Sequence, residues 1–180
     1  GAMVSVICNN GLNRSVRELG LIDPGKILDN TRDIVIKEFE KSEEEVQDGM
    51  DIALCALKGN ELTFAGAHNP LWIIRKGSSE IEEIKANKQP IGKFRHSEAF
   101  DSQKVSLQKG DTIYIFTDGY ADQFGGEKGK KFKTSNFKQL LLSIRHESMN
   151  RQKEIIDETF EDWRGNLEQL DDVCVIGVRI

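Results

Sequence analysis

The chain has 180 residues, 25 Lys and Arg against 30 Asp and Glu, and a formal net charge of −5. That is length for one full domain burying roughly 70% of its unfolded surface, and an acidic balance that excludes a generic nucleic-acid binder, which needs a basic face. With 38% hydrophobic and 31% charged residues it is an ordinary globular composition. No apolar run approaches the roughly 18 residues that span a bilayer, and no signal peptide is visible. The three cysteines, Cys8, Cys55 and Cys174, are far apart in apolar surroundings, with no zinc or redox spacing. They read as reduced core residues of a cytoplasmic protein. Gly1-Ala2-Met3 reads as a scar of tag removal, so the natural chain is expected to extend upstream.

Val4, Ile7, Cys8, Leu12, Val16 and Leu19 form a helical stripe that Gly20 is placed to stop. Asp23-Pro24 supplies an N-cap and a first-turn proline for a second helix running to about Glu40. Lys41 to Asp48 reads as an acidic, solvated linker. The period then changes. Met50–Leu57, Glu61–Ala67, Leu71–Arg75 and Glu80–Lys85 are β-prone runs separated by turn sequences, which predicts an antiparallel meander.

Gln89-Pro90-Ile91-Gly92 marks a loop before a strand over Ala99–Leu107, and Thr112–Thr117 is the most strand-like segment. A glycine- and lysine-rich loop precedes two helices, marked by Phe137, Leu140, Leu141 and Ile144 and by Ile155, Ile156, Phe160 and Trp163. Val173–Ile180 closes as a strand. The order predicts an α+β fold with helices packed on antiparallel sheet.

Two acidic sites sit at strand ends. Asp118-Gly119 follows the apolar run Ile113–Phe116, and Asp171-Asp172 precedes Val173. Carboxylates against an apolar core are costly unless paired or bound to a cation. Gathered together they make an oxygen-ligand site for magnesium or manganese. An Asp-Gly turn and a solvated strand start remain the plain alternative on spacing alone.

Gly110-Asp111-Thr112-Ile113-Tyr114-Ile115-Phe116-Thr117-Asp118-Gly119 resembles the strand and Asp-Gly turn of the metal-dependent, PPM-type serine/threonine phosphatases, in their bacterial SpoIIE-like branch. Ala65-Gly66-Ala67-His68-Asn69-Pro70, Gln89-Pro90-Ile91-Gly92 and Asp171-Asp172-Val173-Cys174-Val175 resemble further segments of that branch in the same order. Asp48-Gly49-Met50-Asp51-Ile52-Ala53-Leu54 is also similar to it. The resemblance runs over nearly the whole chain from Val4 onward.

The resemblance implies an antiparallel β-sandwich flanked by helices. It implies that Asp118, Gly119 and Asp171 hold one metal of a binuclear Mn2+ or Mg2+ centre, with Asp172 orienting a ligand or water. A metal-activated water then hydrolyses phosphoserine or phosphothreonine, with no nucleophilic side chain. It implies a phosphorylated regulator of the anti-sigma-factor antagonist type as substrate, and an upstream sensor segment in the full-length protein. The helix pair before Glu40 corresponds to the family's regulatory region, where a shift could complete or break the site.

The family's earlier strand, with its bridging carboxylate in an Asp-Gly or Asp-x-x-Gly-His-Gly motif, has no counterpart here. The chain is therefore read as one SpoIIE-like domain over residues 1–180, lacking its first strands. Half a metal site and little or no catalysis are expected, and exposed sheet edges would favour a homodimer. The competing readings are a non-catalytic interaction or dimerisation module of phosphatase fold, and an unrelated α+β domain with chance motifs.

Other residues have weaker claims. His68 and Asn69 could approach the substrate from their hairpin, while His68, His96 and His146 show no partners at ligand spacing. Gly125–Lys131 lacks the spacing of a nucleotide loop and reads as a cationic flap or a solvated loop. Trp72 and Trp163 are assigned to the core or a helix–sheet seam, and Asp122 to a helix cap.

Overall fold

Asp23 starts the second helix as its composition demands. Its side chain accepts a hydrogen bond from the Lys26 amide, with Pro24 at the first turn. In the computed structural model, which describes residues 2–40 and 49–180, this helix is α2 (Pro24–Phe39). Before it comes α1 (Ala2–Asn13), continued by a π-helical turn over Arg14–Glu18. Gly20 follows at φ 65°, the left-handed stop expected of it. The Lys41–Asp48 linker, and with it Asp48 of the Asp48-Gly49 pair, lies outside the described residues.

The chain divides into two compact units, Gly1–Leu71 with Lys85–Leu107, and Trp72–Ile84 with Gln108–Ile180. In the first, β1 (Ile52–Lys58) pairs antiparallel with β2 (Glu61–Ala67) around the Gly59-Asn60 turn. β3 (Leu71–Ile74), which enters the second unit at Trp72, and β4 (Glu82–Ile84) follow. The next strand, β5 (Gln103–Ser106), returns to the first unit and pairs antiparallel with β2. The first sheet therefore has the order β1-β2-β5. Its core joins Val4 and Cys8 of α1 and Leu28, Val35 and Phe39 of α2 to Ala65 and Ala67 of β2.

The second unit continues with β6 (Thr112–Phe116), α3 (Gly119–Asp122), β7 (Phe124–Gly125), β8 (Lys130–Lys131), α4 (Thr134–Ser143), α5 (Met149–Arg164) and β9 (Val175–Arg179). The order of its main sheet is β4-β3-β6-β9, with β6 antiparallel to both β3 and β9. Trp72, Tyr114, Tyr120, Phe132, Phe137, Leu141 and Phe160 pack one aromatic-rich core on it. Tyr120 stacks on Phe137 with ring centroids 4.4 Å apart.

The mixed α+β architecture with antiparallel sheets is as expected, and three local expectations are corrected. The runs from Met50 to Lys85 are not one meander, because β2 and β3 belong to different sheets. His68-Asn69-Pro70 joins β2 to β3 without pairing them, with His68 at φ 57°. The strand expected over Ala99–Leu107 is confined to Gln103–Ser106, where β2 offers partners. The glycine- and lysine-rich loop contains the two-stranded hairpin β7–β8. Among the described residues, no helix is long and apolar enough to cross a membrane.

Candidate metal centre

β6 ends at Phe116, and the next residues turn into α3 with Asp118 in the N-cap position, its side chain making no cap hydrogen bond. β9 is its antiparallel neighbour, so the segment entering β9 must run beside the segment leaving β6. Thr117 fastens them together. Its amide donates to the Cys174 carbonyl (3.0 Å), and its Oγ1 donates to the Asp172 carbonyl (2.8 Å) while accepting from the Cys174 amide (2.9 Å). Gly119 completes the contact, since a side chain there would collide with the Asp172 carbonyl.

The structure thus brings the Asp118-Gly119 and Asp171-Asp172 segments side by side within one unit. Asp171 Oδ1 accepts from the Asp172 amide (2.7 Å), and the Asp171 carbonyl accepts from Gln169 Nε2 (2.8 Å). Asp118, Asp171 and Asp172 are all exposed. The burial penalty that would have demanded a counter-charge is therefore not what gathers them; the Thr117 hydrogen bonds do so.

The donor set is all oxygen, which fits a hard divalent cation such as Mg2+ or Mn2+. Its number falls short: among the described residues, no group of three or more His, Cys, Asp or Glu side chains is placed to hold a metal ion. Asp122 caps no helix. It ends α3 and pairs with Lys131 of β8 at 2.8 Å, both side chains about half exposed. Cys174, expected in the core, is exposed beside this site; Cys55 is partly buried, Cys8 is fully buried, and all three are free thiols.

His68 and Asn69 belong to the other unit. There His68 does have a partner, its Nδ1 lying 2.9 Å from Asp51 Oδ1. The pair occupies the next rung beyond Ile52 and Ala67, where the β1–β2 ladder ends. Asp51 belongs to the Asp48–Leu54 stretch, but only the strand register reveals that it lies opposite His68.

A second residue without a sequence signal is Gln123, 1% exposed at the end of α3. Its Nε2 donates to the Phe124 and Glu168 carbonyls (3.0 and 2.9 Å), and its Oε1 accepts from the Leu170 amide at 3.4 Å. Its main-chain carbonyl accepts from the Phe132 amide (2.9 Å) and the Trp163 indole (3.1 Å). Trp163 of α5 thereby packs between the core and the β7–β8 hairpin, and Trp72 lies in the core, both as expected.

Comparison with known proteins identifies the family and the fold. The family model for stage II sporulation protein E, SpoIIE, matches residues 2–180. The SiaA PP2C domain of Pseudomonas aeruginosa superposes with a TM-score of 0.85 at 26% identity, covering 100% of this chain and 70% of that one. The SpoIIE PP2C phosphatase domain with a regulatory fragment from Bacillus subtilis gives 0.68 at 18% identity, covering 96% of this chain and 49% of that one. The RsbU and RsbW domains of a Mycobacterium tuberculosis protein give 0.70 at 16% identity, covering 99% and 48%. This chain therefore spans about half the length of the last two. No curated protein sequence matches it. The family match over almost every residue, on a fold shared with these phosphatase domains, shows that the chain belongs to the SpoIIE family of PPM-type phosphatase domains.

Proposed function

We propose that this chain is the phosphatase-bearing part of a signalling protein, acting on phosphoserine or phosphothreonine of a small regulatory protein of the anti-sigma-factor antagonist type. The observation that carries the reading is the Thr117 clasp, which holds the Asp118 and Asp171-Asp172 segments together at the ends of neighbouring strands.

In this reading Asp118, the Gly119 carbonyl and Asp171 contribute oxygen ligands to Mn2+ or Mg2+, and Asp172 orients a ligand or water. A bound cation of this kind supplies an activated water and neutralises charge on phosphoryl oxygens. The chain's own part is geometric. Thr117 fixes the separation of the two segments, and the small Gly119 lets them approach. The exposed carboxylates face water, from which a phosphorylated loop can enter. An upstream sensor segment in the full protein and a homodimer belong to the same proposal.

A second reading, a non-catalytic module of phosphatase fold, is favoured by the lack of a three-ligand group among the described residues. One assay separates the two: Mn2+-dependent hydrolysis of a phosphoserine protein by the chain and by its Asp118→Asn and Asp171→Asn variants. Turnover abolished by both substitutions supports the enzyme. Mn2+ binding that both substitutions abolish, with no turnover, fits a half-site of the enzyme and the binding module alike, and the same assay on a chain extended upstream then separates them. Turnover unchanged in both variants overturns the site.

A further inference from the structure

Asp171 and Asp172 lie on a strap, residues 168–174, with no helix or strand of its own until β9 begins. An irregular segment holds a fixed place only if its polar groups are tied elsewhere. Both ties come from residues flanking Asp118. Thr117, immediately before it, grips the far end of the strap at Asp172 and Cys174. Gln123, five positions after it, grips the near end at Glu168 and Leu170. The two grips bracket Asp171-Asp172.

Gln123 is better suited to this than a surface residue would be. It is buried, so an unmade bond there costs the desolvation of its amide. It is also held from several directions. Its main-chain amide donates to the Gly119 carbonyl (3.1 Å), and its carbonyl receives Phe132 of the hairpin and Trp163 of α5. The side chain that orders the strap is therefore rooted in the same short helix that Asp118 begins.

We infer that Gln123 is a positioning residue that sets the place of the Asp171-Asp172 strap relative to Asp118, an inference that rests on the phosphatase reading above. It touches no substrate and supplies no ligand. Its contribution is to keep two carboxylate segments, more than fifty residues apart in sequence, at one fixed separation before a cation arrives.

The test is amide hydrogen exchange on the whole chain, with Mn2+ affinity measured by electron paramagnetic resonance. Gln123→Met keeps the volume and removes both hydrogen-bonding groups; Gln123→Glu keeps the acceptor for Leu170. In Gln123→Met, exchange of the strap amides is expected to rise at least about tenfold, with α2 and β2 unchanged. Mn2+ affinity is expected to fall about tenfold with melting temperature nearly unchanged, and Gln123→Glu to recover part of both.

Strap exchange as slow as in the parent chain overturns the inference. So does faster exchange with unaltered Mn2+ affinity, which would leave Gln123 a structural residue only. If Gln123→Met does not fold, the same comparison is read on Gln123→Glu. If the parent chain's Mn2+ binding does not depend on Asp118, the phosphatase reading fails, whereas the exchange pattern still decides whether Gln123 holds the strap.

Discussion

A Cβ added to Gly119 would lie 2.5 Å from the carbonyl oxygen of Asp172, nearer than nonbonded atoms come. The obstacle is main chain, so it cannot rotate away as a flexible side chain would. Gly119→Ala must push the strap off α3 or strain both, at about 1–3 kcal/mol. Urea unfolding measures the loss. Mn2+ affinity should fall in the same variant, and an unchanged midpoint would show that the strap yields freely.

Metal binding offers a second prediction. A cation that binds only the folded chain stabilises it by about 2.7 kcal/mol at a hundredfold excess over its Kd. Thermal melts with and without Mn2+ should show a rise in melting temperature that Asp118→Asn and Asp171→Asn each remove. A rise of the same size in either variant would place the ion elsewhere.

Asp122 serves as the control. Its pairing with Lys131 joins two half-exposed side chains, a geometry that contributes about 1 kcal/mol or less. Asp122→Ala should therefore shift the urea midpoint little and leave the Mn2+ response intact. A large loss of Mn2+ affinity would make Asp122 part of the centre.

The pH dependence of stability should be traceable to Asp111. Burial alone would raise this carboxyl, which is only 2% exposed, but the Lys76 and Gln108 amides and the Arg75 guanidinium outweigh it and hold it below the usual range. A carboxyl held low in the folded chain stabilises it above the unfolded value, about 3.9. That contribution disappears as pH falls through the folded value. Between pH 7 and about pH 3, Asp111→Asn should thus lose less stability than the parent chain. Asp111→Ala, which strands the two amides and Arg75, should cost about 3 kcal/mol at neutral pH.

What could be read from the sequence was what local chemistry decides. Asp23-Pro24 marks a helix start whatever lies around it, and Lys58-Gly59-Asn60 turns a hairpin by its own conformational preference. Asp118-Gly119 and Asp171-Asp172 were visible because each abuts an apolar run. What stayed hidden depends on partners far along the chain. His68-Asn69-Pro70 signals a reversal, yet nothing local says that β2 will pair with β5 while β3 pairs with β6. Cys174 sits in an apolar run, and its exposure follows from its place at the strap's exit. Gln123 resembles any surface glutamine until Glu168 and Leu170, 45 and 47 residues away, come to meet it.

Trp163 adds an experimental consequence. Its indole donates to the Gln123 carbonyl, and its own carbonyl accepts the Gly126 amide of the hairpin. Its ring meets Phe132 edge-on at 5.4 Å. The other tryptophan, Trp72, is 1% exposed in the aromatic core of the same unit and bonded to Glu83. In a Trp72→Phe background, the emission of Trp163 becomes an optical gauge of the Gln123 junction. Cations, phosphoproteins and substitutions at the strap could then be followed as spectral shifts, without a label and without turnover.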